Sequence, residues 1–284
     1  MEFQTSVIEL IRKRRSVRTY SDKILDIHLK EEISDLLQNI GEGPFMSINK
    51  FYFIDKSFAK KDHKVKLGTY GFIKGAKFFL AGESEKSRIA HFDYGYLMEK
   101  IILHLTGMGL GTCWLGGTFS RSEFTKVMPL HADSIIPAIT PLGFPADSLS
   151  TREKLIRWGA KADNRMKSEE LFFGNNTTTP LSQSEIGTYA IPLEMVRLAP
   201  SASNKQPWRI IKIADCFHFY VKRTPGYNKF GNGVDLQLID LGIAMAHFEL
   251  VCNELELKGK WLNEDPGLTS PLIDEYCFSW NMEN

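Results

Sequence analysis

One long apolar segment occurs twice in this chain. "FDYGYLMEKIILHLTGMGLGTCWL" (92–115) aligns without a gap on "IDLGIAMAHFELVCNELELKGKWL" (239–262). Asp93 falls on Asp240, Gly95 on Gly242, Met98 on Met245, Leu103 on Leu250, Trp114 on Trp261 and Leu115 on Leu262, always 147 positions apart. Two unrelated amphipathic helices share a few positions by chance. Here both copies also close on the same short spacer and the same Trp-Leu pair, which marks an internal duplication. A fold of two related lobes, each built on one long buried helix, is what this repeat allows.

The rest of the chain divides around those helices. Phe3, Val7, Ile8 and Ile11 recur at helical spacing and predict a helix over 3–12. A second is predicted over 29–40, stopping at Gly41, where a missing Cβ suits a helix end. Short apolar runs at 50–55 and 76–82 read as strands, as do 134–143, 208–213 and 217–222. Between the lobes "GNNTTTPLSQSEIG" is polar and aperiodic. The expected division is a first lobe over 1–168, an exposed connection over 169–187 and a second lobe over 188–284.

Charge and cysteine usage exclude several classes. Lysines and arginines number 35 against 34 acidic residues, so no overall attraction to nucleic acid or to an anionic membrane is expected. Cys113, Cys216, Cys252 and Cys277 form no CxxC pair, and the 7 histidines show no HExxH spacing; no metal site is predicted. "MEFQTSVIELIRKRRS" lacks the unbroken apolar core of a signal peptide. The apolar stretch 92–117 carries Glu99, Lys100 and several glycines, and is not read as a membrane span. A cytoplasmic location follows as the expectation.

Three stretches could carry chemistry, and each has a plainer reading. "RRSVR" (14–18) offers planar guanidinium forks suited to phosphate and carbonyl oxygens, but could be a solvated basic helix end. "LAPSASNKQPWRI" (198–210) joins small residues to amides before a strand. It could instead be a helix stopped by Pro200, with Gln206 exposed and Trp208 in the core. "GMGLGTCWLGG" (107–117) follows a helix rather than a strand and lacks the Lys-Ser/Thr of a P-loop, so it does not fit a dinucleotide fingerprint.

Taken together, "IRKRRSVRTY", "LAPSASNKQPWRI", "GMGLGTCWLGG" and "IPAITPLGFPAD" resemble the recurring motifs of the FMN-dependent nitroreductase family over most of the chain. The order differs from the usual one. An ordinary member has its proline-serine-asparagine motif in the same half as the arginine motif; here that slot holds "GEGPFMSINKFYFID". The resemblance implies an α+β fold, a mainly antiparallel sheet in each lobe flanked by helices, with the long helices packed centrally. Family members are typically homodimers whose subunits jointly form two flavin sites. This chain resembles the two-lobed nitroreductase subfamily, a fused pair with one competent site and one lost, and is expected to be a monomer that mimics a dimer.

By that resemblance Arg14, Arg15, Ser16 and Arg18 bind the FMN phosphate, ribityl chain and pyrimidine edge. Pro200, Ser201, Ala202 and Asn204 approach from the other lobe, with Gln206 and Arg165 as further cofactor contacts. Leu115, Gly116 and Gly117 supply backbone near the reactive flavin nitrogen. The implied activity is a two-step exchange, in which NAD(P)H delivers hydride and a nitroaromatic, quinone or similar small acceptor removes it. No catalytic side chain is named, since the cofactor and water can supply protons. Two rivals stand beside it: another flavin reaction on the same fold, and a flavin-binding sensor or store without turnover.

Overall fold

The computed structural model describes residues 2–62, 65–147, 164–227 and 233–283. The stretch 148–163, inside the expected first lobe, lies outside the described residues. In the first half, α1 (Val7–Lys13) and α2 (Ile27–Gln38) precede β1 (Asn49–Asp55), α3 (Lys56–Asp62) and β2 (Phe78–Ser84). The long α4 (Arg88–Gly107), β3 (Gly111–Thr112), α5 (Arg121–Thr125) and β4 (Ile139–Gly143) follow. β5 (Phe172–Gly174), α6 (Gln183–Ile186), α7 (Ala190–Leu198), β6 (Trp208–Ile213) and β7 (Cys216–Val221) lead to the second long helix, α8 (Leu236–Glu254). β8 (Gly259–Leu262) and β9 (Glu275–Met282) complete the order.

The two halves share one topology. The first sheet runs β1-β2-β4-β3 and the second β5-β6-β7-β9-β8. Removing β5 leaves two four-stranded antiparallel sheets of the same order, each with its long helix between the second and third strands of the chain. This is the α+β architecture that the resemblance implies. β5 differs, pairing parallel to β6. Its Leu171–Gly174 surroundings are buried, so the beginning of the expected exposed connection is an edge strand of the second sheet. Three apolar residues gain their strand character only from the β6 partner, which periodicity cannot show.

α4 and α8 form the centre. Sixteen of twenty residues of α4 and fifteen of nineteen of α8 are buried; helices apolar on every face belong inside a core. α8 is long and apolar enough to cross a membrane, but 83% of its apolar window is buried inside the protein. The helices meet at the aligned glycines. A Cβ on Gly242 would lie 3.0 Å from Gly95 Cα and collide with Phe92 O, and one on Gly95 would lie 3.1 Å from Gly242 Cα and collide with Ile239 O. Phe92 and Ile239 are themselves 147 apart. The contact is therefore reciprocal, as across a two-fold axis.

Local chemistry shifts some boundaries. α1 begins at Val7, because the Ser6 hydroxyl accepts from Glu9 N–H and the Glu254 carboxylate accepts from Val7 and Ile8 N–H. Those are otherwise unpaired donors of a first turn. Phe3 lies outside the helix and stacks on His104 at 3.9 Å. α2 ends before Gly41, whose φ of +83° is the left-handed turn expected there.

Candidate functional site

A cavity of about 320 Å³ opens between the lobes, within the usual size of a small-molecule site. One wall comes from the first half. At Arg14 the chain leaves α1 with extended backbone, its N–H still donating to Leu10 O. Val17 N–H then donates to Thr112 O at 2.8 Å, and Ser16 bridges Thr112 in parallel. The arginine segment thus runs beside β3. Alternation sends Val17 into the core and puts Arg14, Ser16 and Arg18 on the cavity side; Arg15 also lines the cavity.

The facing wall comes from the second half. α7 ends at Leu198, as Pro200 requires, and Ala202–Asn204 forms a single 3-10 turn. Ser203, Asn204 and Gln206 hold φ values of +49°, +56° and +47°. Three non-glycine residues in the left-handed region within four positions cost strain that the surroundings must hold. Asp240 of α8 supplies part of that hold, accepting from Ala202 N–H at 2.9 Å. Ser201 Oγ accepts from Gln206 N–H at 2.8 Å.

Arg165 joins this wall. Its guanidinium donates to Asn204 Oδ1 at 2.9 Å and to Leu198 O, and Asn204 Nδ2 donates to Asn164 O at 2.7 Å. Pro200, Ser201, Ala202, Asn204, Arg165 and Gly116 all line the cavity with the arginine segment. Three expected contacts do not. Gln206 is 1% exposed, its side chain accepting from Met166 N–H and donating to Arg197 O. It clamps the Arg165 segment to the loop rather than facing a ligand. Leu115 spends its N–H and C=O on Ile139 in an isolated bridge, so its main chain has no donor to offer. Gly117 does not line the cavity; its neighbour Gly116 does, packed so closely on Leu236 that a Cβ would meet that side chain.

Several lining residues were not expected from the motifs. Trp114, Ile239 and Asp240 belong to the repeated segment, and Leu236 opens α8 just before it. The identities at 93/240 and 114/261 were the signal that could have found two of them. Burial, reinforced by the charge of Asp235, holds the Asp240 carboxyl well above the usual carboxylate range. The wall therefore combines five arginines (Arg12, Arg14, Arg15, Arg18 and Arg165) with a carboxyl that resists ionisation. Such a field favours a polyanionic ligand.

A second cavity, about 550 Å³, is lined by Arg88, Ile89, Phe92 and Asn263. Their positions are those of Asp235, Leu236, Ile239 and Gly116 displaced by 147. It is the pseudo-symmetric counterpart of the first. Its loop residue Phe45 packs on Phe92 and Phe278 with centroids 6.4 and 6.2 Å apart. Arg88 is its one lining arginine among the described residues; it pairs with Glu275 and rests over the Phe92 ring.

The two-lobed α+β scaffold, with a cationic cavity between its halves, has the nitroreductase fold. A family model described as "Putative TM nitroreductase" matches residues 6–252, and the chain belongs to that family. The structure of a "putative nitroreductase" from Thermotoga maritima is similar with a TM-score of 0.62 at 20% identity, covering 99% of this chain and 96% of that one. A "putative nitroreductase" from Desulfovibrio desulfuricans in complex with FMN has a TM-score of 0.41 at 22% identity, over 52% of this chain and 91% of its own. An FMN-dependent nitroreductase from Clostridium difficile gives 0.41 at 17% identity, over 50% and 90%. No curated protein matches the chain.

Proposed function

We propose that the first cavity binds FMN and that the protein is an NAD(P)H-dependent oxidoreductase acting on nitroaromatics, quinones or similar small acceptors. The observation that carries this reading is the meeting of the RRSVR segment and the PSASN loop across one cavity. The donor set fits the ligand. Arg14, Arg15 and Arg18, with the Ser16 hydroxyl, suit a phosphate and the oxygens of a pyrimidine edge. Leu198, Ile239 and Ile243 supply apolar surface for a flat ring system. When bound, FMN would supply the two-electron redox chemistry that links a nicotinamide to the acceptor.

The chain's own contribution is binding and orientation. The arginines concentrate positive charge where negative charge develops on reduction. Asp240 anchors the strained loop without adding a full negative charge to the cavity. Gly116 brings main chain to the wall, the role that Leu115 cannot fill. Both walls come from one chain, so the site is complete in a monomer, and the second cavity lacks the arginine wall. The reading keeps two lobes, 1–168 and 188–284, with 169–187 passing between them.

The test is stoichiometry and reduction. FMN fluorescence should be quenched with one equivalent per chain, and anaerobic NADH or NADPH should bleach the bound flavin absorbance. Two equivalents per chain would overturn the single-site reading. Flavin that binds but is not reduced by either nicotinamide would make the protein a flavin binder rather than an enzyme.

A further inference from the structure

Beneath the arginine wall lies a buried polar network between the two central helices. Glu99 of α4 and His247 of α8 are both fully buried. His247 Nδ1 lies 2.8 Å from Met195 O, and its Nε2 lies 3.0 Å from Glu99 Oε1. Met195 O can only accept, so Nδ1 carries a proton. Nε2 then faces a carboxyl oxygen, and two lone pairs at that separation would repel. One proton must lie between them. Burial alone would raise the Glu99 carboxyl, yet the His247 hydrogen bond, the Arg14 charge and the Trp114 indole together hold it below the usual range. The Arg14 guanidinium and the Trp114 indole on the carboxyl's other sides favour its ionised form, which leaves the shared proton on the imidazole.

The remaining partners of Glu99 lead to the cavity. Arg14 Nε is 3.6 Å from Oε1, and Trp114 Nε1 donates to Oε2 at 2.7 Å. Both residues line the cavity, whereas Glu99 and His247 do not. No hydrogen bond reaches Arg14 Nε, so the Glu99 charge is what holds that end of the guanidinium. The network crosses between lobes, from the arginine segment through α4 to α8 and α7. The corresponding place in the other half is built differently. A displacement of 147 puts Ala246 opposite Glu99 and Lys100 opposite His247, and Trp261, opposite Trp114, donates to Glu249 at 2.8 Å. A buried carboxylate–imidazole pair contributes little net stability over apolar packing, and this one sits under the cationic cavity.

We propose that Glu99 and His247 are positioning residues of the first cavity: sharing one proton across the central helix crossing, they fix Arg14 and Trp114 in its wall and so set its grip on FMN from beneath. This rests on the FMN reading, but part of its test does not. Nitrogen NMR of the ligand-free protein at neutral pH should show both ring nitrogens of His247 protonated, and Glu99→Gln should abolish that signature. A ring protonated at one nitrogen in the unmodified protein overturns the proposal whether or not flavin binds.

The second arm is affinity. Glu99→Gln and His247→Gln should each weaken FMN binding about tenfold, and the double variant should be no weaker than the worse single one, because the two act as a unit. Melting temperatures report whether each variant folds; if Glu99→Gln does not, His247→Gln and the NMR signature decide. Single effects below threefold, or a double effect equal to the product of the singles, would overturn the positioning role. If the unmodified protein takes up no FMN, the functional reading fails, and with it the grip on flavin. The ring signature then decides the shared proton alone.

Discussion

The two cavities have the same origin in the fold and opposite chemistry. Each lies between a loop following a helix and the first turns of the same half's long helix, and three pairs of lining positions (Ile89 and Leu236, Phe92 and Ile239, Gly116 and Asn263) correspond at a spacing of 147. The first gathers five arginines around small residues. The second holds one arginine among the described residues, already paired with Glu275, together with Asp265, and it has the Phe92 ring where the first has Ile239. The lesson is that backbone symmetry does not fix binding: charge and side-chain volume do, and both have diverged here while the sheets have not.

The largest expected effect breaks the comparison on its ligand side. Arg14→Ala combined with Asn204→Ala should weaken FMN binding by about a hundredfold, since charge-assisted contacts are lost from both walls. Phe45→Ala with Asn263→Ala, at the second cavity, should leave FMN affinity and stoichiometry unchanged by the same fluorescence titration. If the two pairs cost the same, the cavities are not functionally distinct.

A second test probes the shared scaffold. Gly95→Ala and Gly242→Ala each push a Cβ into the facing helix backbone, and each should destabilise by about 3 kcal/mol or more. Denaturant melts should give matched losses. A large difference between them would deny the reciprocity of the crossing.

The aligned aspartates should separate in sign. Asp93 accepts from Phe45 N–H, Ser47 N–H and the Ser47 hydroxyl, the last at 2.6 Å. Asp93→Asn turns an amide donor toward one of these donors and should cost about 1–3 kcal/mol. Burial and the Asp235 charge hold the Asp240 carboxyl well above the usual carboxylate range. A carboxyl raised in the folded state is ionised first in the unfolded chain. It therefore lowers stability as pH rises from the ordinary aspartate range through its own raised pKa. Asp240→Asn keeps an acceptor for Ala202 N–H and removes that penalty. Thermal melts at neutral pH should show it equal to or more stable than the unmodified protein, with a flatter pH dependence. A loss that grows as pH rises toward neutral would refute this assignment.

The smallest effect is Gly117→Ala. Nothing lies within 4 Å of its added Cβ, so stability and FMN affinity should stay within about 0.5 kcal/mol. Gly116→Ala, which meets Leu236, should not be silent.

Much of this was legible because the informative residues are local. The repeat in α4 and α8 announced the two lobes, and the RRSVR and PSASN stretches announced the two walls. What could not be read depends on partners distant in sequence. β5 is three residues that become a strand only beside β6. β9 is buried at four successive central positions between β7 and β8, so it lacks the alternation that marks a half-exposed strand. Gln206 sits in the right motif, yet it turns toward Met166 because the loop reverses at three left-handed residues. Leu115 is drawn off by Ile139, 24 positions later. Asp240 was visible as an identity, but its hold on Ala202 needed the loop to be folded.

The glycine crossing has a genetic corollary. Between two identical subunits, a mutation at an axial residue appears on both sides at once, and its harm is doubled. Gly95 and Gly242 occupy equivalent places but separate codons. Drift can therefore reshape one half while the other is conserved, and compensation can be one-sided. A single polypeptide of this form can turn one of two ancestral pockets to a new use without losing the other.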